Sequence, residues 1–472
     1  MTPQYPSARD TLNALERGET TSRALTTAYL ERITAEPKIN AVVTTDSERA
    51  LAAADAADER RSRGKPGGPL LGLPMTVKDS LETAGLRTTS GGALADHVPA
   101  ADADAVALLR AAGAIIIGKT NTPPMCQDIQ TSNDLFGTTP NPYDAARTAG
   151  GSSGGPAAAV AAGLTPLEVG SDLAGSLRLP AHYCGVYGLR TTRGIVPTRG
   201  HVPRPPGWMT SSDMLTIGPL ARSAEDLDLA LDVLAGPSPA DSPGWSLQLP
   251  AARHTSLADL RIGIWADDPY CPVDTDTRHL LEQVATSLRA AGASLDEHSR
   301  PIDDFADSDR LFQQLMFATS SATAGQEEFD GQTRSAEQLP DDHPAALFLR
   351  SRTMRHRDWL RAHEEREQLR ERWAAYFRTV DVLITPAAPT AAVADQTGVP
   401  PTERYFTVDG ERRSFFGQTA WLNLVSHVGL PAAVAPMGRD RDGMPLGVQI
   451  IGPHLADRTV VAVAGQLAAE AA

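Results

Sequence analysis

A stretch of small residues between Gly150 and Arg190 constrains this chain more than any other part of its sequence. It opens with GGSSGGP, in which four glycines bracket two serines just before an alanine-rich segment. Glycine permits backbone conformations that other residues avoid, and proline suits the first turn of a helix. The stretch therefore predicts a tight loop of the kind found at functional sites, followed by a helix.

Short apolar runs alternate with helical patterns around this loop, and the alternation predicts an α/β fold. Strands are predicted at Leu73–Val77, 114–117, 167–170 and 260–267, with a hairpin around 441–443 near the end. Helical periodicity predicts two N-terminal helices, the second of them capped by Thr20 or Thr21. It also predicts an alanine-rich helix over 41–64 and helices near 223–235, 275–291 and 358–380.

The domain organisation follows from the absence of a convincing linker in the sequence. We expect a single domain over residues 1–472. Its predicted parts are N-terminal helices in 1–65, a catalytic core in 66–235, and the remaining sheet and substrate-pocket elaborations in 236–472. Residues 300–350 are polar, and their pattern predicts no clear helix or strand.

Charge and cysteine content narrow the possible functions. The net charge of −15 argues against nucleic-acid and anionic-membrane partners, because both require basic patches. The three cysteines are widely spaced without a CxxC pair, which argues against disulfides and structural zinc and predicts a cytoplasmic protein. No signal peptide and no apolar run of about 18 residues is visible, so no membrane span is predicted.

A phosphate-loop match at Gly113–Thr120 raises the question of ATP binding. The match is Gly, four residues, Gly, Lys, Thr, but three of the four variable residues are isoleucines. Stiff β-branched residues favour an extended strand over a phosphate cradle, and two prolines follow where a helix should open. Lys119 is therefore predicted to end a strand and to bond backbone carbonyls.

The serines near the glycine loop suggest acyl transfer. GGSSG also fits the nucleophile elbow of hydrolases, but the best histidine for that reading, His427, lies in an apolar stretch and is predicted to be a core residue. In DLAGS, Ser176 follows small residues whose consecutive N–H groups could form an oxyanion hole. Four serines, Ser152, Ser153, Ser171 and Ser176, are candidates for the nucleophile and for a second hydroxyl near it.

A lysine upstream offers the missing base. Lys78 ends the apolar run in GLPMTVKDS, where burial would lower the pKa of its amine and let it accept a proton. Ser–Lys pairs are an alternative to Ser–His–Asp triads. A structural ion pair between Lys78 and Asp79 is an equally good reading of position alone.

These segments together resemble the amidase signature family. The resemblance rests on several long motifs in the family's order, which are GLPMTVKD (72–79), GKTNTPP (118–124), GGSSGG (150–155), GSDLAGSLRLP (170–180), CGVYGLRTT (184–192) and GMPLGVQIIGP (443–453). It implies a large mixed central sheet surrounded by helices. It also implies a hydrolase of linear amides that needs no metal or cofactor and forms an acyl-enzyme.

The resemblance implies the following roles for individual residues. Ser176 attacks the carbonyl, Ser152 in a cis peptide relays the proton, and neutral Lys78 is the base. Backbone N–H groups form the oxyanion hole at Leu173, Ala174, Gly175 and Ser176. Supporting roles fall on Ser153, Asp172 and Arg178, the last two as a charged pair.

Three positions depart from the family pattern. Ala174 replaces a usual glycine, so a methyl group enters the oxyanion loop and shapes the pocket, and we expect activity to survive. Arg190 and Thr191 replace Lys-Pro at what we interpret as a structural position. Pro156 replaces a serine and is compatible with a first helical turn.

Substrate choice is not fixed by these motifs. The leading hypothesis is a serine amidohydrolase acting on a small-molecule amide, with esters or carbamates also allowed. A homodimer is allowed, and no nucleic acid or membrane partner is expected. The alternative is the glutaminase subunit of a tRNA-dependent amidotransferase, although no decisive glutamine signature is visible. A catalytically dead binding protein is disfavoured by the intact triad. An apolar pocket is predicted from Cys126, Trp208, Phe415 and Phe416.

Overall fold

The computed structural model describes residues 5–253 and 256–471 of the 472-residue chain. Residues 1–4, part of the segment in which no signal peptide is predicted, lie outside the described residues. The strands are β1 Val42–Thr45, β2 Pro74–Lys78, β3 Ile115–Thr120, β4 Ser132–Asn133, β5 Gly137–Thr138, β6 Leu167–Asp172, β7 Tyr187–Arg190, β8 Thr216–Ala221, β9 Arg261–Ile264, β10 Ser294–Asp296, β11 Val382–Pro386, β12 Tyr405–Val408, β13 Glu411–Ser414, β14 Ala432–Arg439 and β15 Pro445–Ile451.

Helices cover the sheet formed by these strands. They are α1 Ala8–Glu16, α2 Ser22–Ala35, α3 Ser47–Ser62, α4 Asp104–Ala111, α5 Gly154–Ala161, α6 Arg178–Cys184, α7 Ala224–Leu234, α8 Thr275–Ala290, α9 Phe305–Ser320, α10 Gln326–Gln338, α11 Ala346–Arg352, α12 His356–Tyr376, α13 Ala420–Ser426 and α14 Asp457–Ala471. Helices α5, α7 and α14 pack against strands β6, β8 and β14 respectively.

One mixed sheet organises the described part of the chain. Its eleven strands run in the order β1-β3-β2-β6-β8-β7-β14-β15-β11-β9-β10. Strands β3, β2 and β6 are parallel, as are β11, β9 and β10, whereas the middle of the sheet is antiparallel. This confirms the prediction of a large mixed central sheet surrounded by helices.

Burial explains why the central strands read as continuous apolar runs. Every residue of β2 and of β6 is buried, as expected of parallel strands covered on both faces. The main apolar core spans both faces of the sheet and includes Val77, Val169 and Val448. Charged or polar residues that end these strands are therefore carried into a buried environment.

The helix and strand predictions are largely confirmed. Thr21 caps α2 by accepting from the Ala24 N–H at 3.1 Å, and β14 and β15 form the predicted hairpin, in which Gly443 has φ 82°. The predicted helix over 41–64 is wrong at its start, because Val42–Thr45 is an edge strand paired with β3. The polar segment 300–350 holds three helices, of which α9 begins at the cap Asp304.

Candidate active site

Two neighbouring parallel strands bring the predicted groups together. Lys78 is the last residue of β2, and Asp172 is the last residue of β6. The two strands are paired in parallel with Val77 opposite Val169, so both end at the same edge of the sheet. Ser152 lies in the glycine loop just before α5, and Ser176 lies in the turn between β6 and α6.

Lys78 contacts two hydroxyl groups in the interior. Its Nζ lies 2.7 Å from Ser152 Oγ and 3.0 Å from Ser171 Oγ. The side chain is fully buried, and this burial lowers the pKa of Lys78, although Cys126, Asp172 and Glu168 partly oppose the shift. Burial thus favours the neutral amine, which can accept a proton.

The alternative of a Lys78–Asp79 ion pair is wrong. The Asp79 carboxylate instead accepts from the backbone N–H of Thr89 at 3.1 Å and from the hydroxyl of the same residue. Among the described residues, Lys78 has no carboxylate within ion-pair distance. Its hydrogen bonds go to the two serine hydroxyls, which is the arrangement that proton transfer requires.

The glycine loop is tied to the turn that carries Ser176. The Gly151–Ser152 peptide is cis. The Ser153 N–H donates to the Ser176 carbonyl at 3.0 Å, and Ser153 Oγ donates to the Ser171 carbonyl at 3.2 Å. Ser152 and Ser153 are buried, whereas Ser176 is half-buried. The hydroxyl at Ser176 is therefore the one of the three that an incoming substrate can reach most readily.

Asp172 organises the turn before Ser176. Its carboxylate accepts from the Gly175 N–H at 2.9 Å and from the Leu177 N–H at 3.2 Å. The prediction that the Gly175 amide faces an oxyanion is therefore wrong, because that N–H is already donated to Asp172. Among the described residues, the amides of Leu173, Ala174 and Ser176 have no acceptor, so they stay predicted oxyanion donors.

Two buried arginines flank Asp172. Arg178 donates through Nε and Nη2 at 3.0 Å each, and Arg190 donates through Nη1 at 3.0 Å. Burial opposes ionisation of Asp172, but the two guanidinium groups outweigh it and hold the pKa of the carboxyl well below its usual range. The predicted Asp172–Arg178 pair is thus present. Arg190, predicted to be structural, adds a second cation to it.

The sequence reasoning missed two polar groups around the lysine. Ser171 was weighed only as a nucleophile, yet its hydroxyl contacts Lys78. Thr122 donates from Oγ1 to the Ser152 carbonyl at 2.8 Å and so holds the glycine loop from the side of β3. The position of Ser171 at the end of β6, beside Lys78 on the neighbouring strand, is the signal that could have identified it.

The four predicted pocket residues do not form one apolar cluster among the described residues. Phe415 is buried, whereas Trp208 and Phe416 are 43% and 44% exposed. Phe415 and Phe416 contact each other edge to face, with ring centroids 5.9 Å apart. Cys126 lies next to Lys78. A pocket shared by these four residues therefore stays a prediction.

Two other predictions are confirmed by the contacts of the side chains concerned. Lys119 is buried and donates to the Leu81 carbonyl and, at 2.7 Å, to Thr83 Oγ1, as expected of a lysine that ends a strand. His427 is buried and its Nδ1 lies 3.0 Å from the Asn423 carbonyl. Both residues therefore belong to the scaffold.

The described residues hold neither a metal-binding cluster nor a membrane-spanning helix. No group of three or more of their His, Cys, Asp or Glu side chains is placed to hold a metal ion. Over the same residues, no helix is both long enough and apolar enough to cross a bilayer.

Comparison with known proteins decides the family. The sequence model of the family described as Amidase matches residues 24–461. The chain belongs to the amidase family. This amidase is an enzyme that hydrolyses C–N bonds of amides, and the Ser-Ser-Lys triad is characteristic of its family.

Relatives extend along nearly the whole amidase. A glutamyl-tRNA(Gln) amidotransferase subunit from Thermosynechococcus vestitus is 34% identical over 479 residues, covering 95% of each chain. A second relative is a solved structure of a vestigial protein complex that reveals the evolutionary origins of an s-triazine catabolic enzyme. It is 32% identical to this chain, with a TM-score of 0.80 and 98% coverage of both chains. A bacterial aryl acylamidase of the amidase signature enzymes has a TM-score of 0.83 at 24% identity, covering 99% of this chain and 96% of its own, and shows the shared fold.

One prediction about partners is wrong. We expected a protein acting on a small-molecule amide without nucleic acid. A curated relative that matches the amidase over nearly its full length is instead one component of a glutamyl-tRNA(Gln) amidotransferase. The acidic net charge could not support the prediction, because charge summed over one chain says nothing about what the other chains of an assembly bind.

Proposed function

We propose that this amidase is the glutaminase subunit of a tRNA-dependent amidotransferase. It hydrolyses the side-chain amide of glutamine through an acyl-enzyme on Ser176, and partner chains use the released ammonia on charged tRNA. The observation that carries the proposal is the similarity to the glutamyl-tRNA(Gln) amidotransferase relative, which covers 95% of both chains. An inserted or missing domain would have lowered that coverage on one side.

The arrangement of hydroxyl and amine groups supports the chemical step. Ser176 Oγ attacks the amide carbon while its proton passes to Ser152 Oγ, and the Ser152 proton passes to Lys78 Nζ, 2.7 Å away. Burial keeps Lys78 ready to accept that proton, because it lowers the pKa of the amine. The proton then returns through Ser152 to the departing ammonia.

The loop after β6 supports the charge that develops on the substrate. The carbonyl oxygen becomes an oxyanion in the tetrahedral intermediate, and the amides of Leu173, Ala174 and Ser176 would donate to it. Loss of one such donor typically lowers turnover by about 10²–10³-fold. Water then attacks the acyl-enzyme by the reverse sequence of proton transfers and releases glutamate.

The proposal includes a location and a domain arrangement. We place the protein in the cytoplasm, a placement supported by its three unpaired cysteines. We treat residues 1–472 as one domain, which is supported by the eleven-stranded sheet that β1 near one end of the chain and β15 near the other both join.

Ammonia release from glutamine tests the proposal. The amidase is assayed alone, with the partner subunits from its own source, and with those subunits plus charged tRNA. We expect glutamine hydrolysis that rises about 5–150-fold in the complex, the range typical of coupling between sites. Ser176→Ala should abolish it, whereas Ser62→Ala, which changes an exposed serine at the end of α3, should not.

A split result would separate the chemistry from the biological role. If a fluorophosphonate labels Ser176 but no glutamine is hydrolysed with any partner present, the amidase chemistry stands and the amidotransferase role is wrong. If Ser176→Ala hydrolyses glutamine at the rate of the parent, the mechanism itself is wrong.

A further inference from the structure

A thiol lies beside the catalytic lysine, and no step of the proposed reaction uses it. Cys126 ends the short 3-10 turn Pro124–Cys126, which follows β3, and its backbone has a positive φ of 57°. The residue is half-buried, whereas Cys184 and Cys271 are buried. Of the three cysteines in the sequence, Cys126 is thus the most accessible to a reagent.

The contacts of Cys126 tie it to the catalytic groups. Its Sγ lies 3.6 Å from Thr122 Oγ1, and this hydroxyl donates to the Ser152 carbonyl at 2.8 Å. On another side, Sγ lies 3.9 Å from the Val202 carbonyl. Lys78 faces the same thiol. A group attached to this sulfur would therefore stand next to both Lys78 and the loop that holds Ser152.

A second residue, His201, also points to reactivity at this position. The imidazole is only 4% exposed, and neither of its nitrogens has a hydrogen-bond partner among the described residues. The ring faces the Cys126 thiol, while its backbone is bridged to Leu81. Buried polar groups are nearly always paired, so an imidazole whose facing polar group is a thiol requires an explanation.

The surroundings favour the reactive thiolate form of Cys126. Burial alone would raise the pKa of the thiol, but the ammonium form of Lys78 and the His201 ring outweigh it and lower this pKa to about 5. The other two thiols are inert by comparison. Burial raises the pKa of Cys271 to about 12 and also raises that of Cys184. Thiolates, and not thiols, attack disulfides.

We propose that Cys126 is a redox modification site through which small disulfides reversibly switch the amidase off. Its Sγ attacks one sulfur of a low-molecular-weight disulfide and forms a mixed disulfide. The S–S bond of the reagent breaks, and its second half leaves as a thiolate that takes up the proton lost from Cys126. The attached group fills the space beside Lys78 and blocks catalysis until a thiol removes it.

Treatment of the native protein with 2-hydroxyethyl disulfide tests the proposal. Peptide mass spectrometry then maps the adduct, and a fluorophosphonate measures how much Ser176 remains reactive. We expect an adduct at Cys126 with Cys184 and Cys271 unmodified. Ser176 labelling should be lost in proportion to the fraction of Cys126 modified, and dithiothreitol should restore it.

Each variant in this test is compared with its own untreated sample. Treatment should leave the labelling of Cys126→Ala unchanged, whereas Cys271→Ala should lose labelling as the parent does. His201→Asn should slow adduct formation at Cys126 without preventing it. The proposal is overturned if Cys126 stays unmodified in folded protein while urea-unfolded protein reacts at all three thiols. It is equally overturned if the Cys126 adduct leaves Ser176 labelling intact.

Discussion

Replacement of Asp172 by asparagine should strongly lower the free energy of unfolding, although the two side chains have nearly the same shape. The carboxylate accepts five hydrogen bonds, two from backbone amides of the Ser176 turn and three from the guanidinium groups of Arg178 and Arg190. All three side chains are fully buried. Asp172→Asn leaves two buried cations without an anion, which costs about 3–5 kcal/mol. That is a large part of the roughly 5–15 kcal/mol by which proteins are stable.

Urea unfolding followed by circular dichroism measures this loss. The matched control is Asp55→Asn, the same chemical change in a pair with Arg23 whose side chains are 54% and 53% exposed. The control should change the free energy of unfolding by no more than about 1 kcal/mol. A loss of less than about 1 kcal/mol for Asp172→Asn would refute the reasoning that the buried charge balance holds this turn.

The pH dependence of the same variant has a defined sign. The pKa of Asp172 is lower in the folded protein than in the unfolded chain, where it is about 3.9. Its contribution to stability is therefore fully present above that unfolded value and is lost only as the pH falls through the folded value. The stability difference between parent and Asp172→Asn should stay constant from pH 7 to about pH 5. A difference that shrinks over this range would contradict the assignment.

Four further predictions concern the two lysines, the thiol and ATP. Lys78→Met should lower kcat/KM for the best amide substrate by about 10²–10⁴-fold, as loss of a general base does, and a smaller loss would exclude Lys78 as the base. Cys126→Ala should move the acid limb of the kcat/KM profile to lower pH. The anionic thiol raises the pKa of Lys78, so removing the thiol lets burial lower that pKa further. A shift of the acid limb to higher pH would contradict this. Lys119→Met should lower the free energy of unfolding by about 1–3 kcal/mol, because the Leu81 carbonyl and Thr83 lose a buried donor. A fluorophosphonate should still label Ser176 in this variant. ATP should not raise the Tm of the parent, and a clear rise would reinstate the phosphate-loop reading.

The sequence was informative where local pattern and burial agree. The apolar runs that became β2 and β6 are short, continuous and buried on both faces, so they were predicted as strands and Lys78 could be placed at a strand end. The glycine loop before α5 was equally clear, because its residue types suit few other structures. The three isoleucines at 115–117 lie in β3, which confirms the prediction of a strand at this segment.

The errors arose where tertiary contacts decide the outcome. Val42–Thr45 precedes a strongly helical segment, and only its pairing with β3 makes it a strand. The direction of the Gly175 amide depends on a φ of 98° and on the carboxylate of Asp172, neither of which the sequence shows. Arg190 reaches Asp172 from β7, and β8 lies between β7 and β6 in the sheet, so no spacing in the motif could reveal this contact.

Covalent labelling of Ser176 tests the central claim most directly. The parent is treated with a fluorophosphonate, digested, and the modified residue is mapped by mass spectrometry. The account predicts one adduct on Ser176, its strong slowing in Lys78→Met and in Ser152→Ala, and its absence in Ser176→Ala. An adduct on Ser152 or on another serine, with Ser176 unmodified, would contradict the acyl-enzyme mechanism.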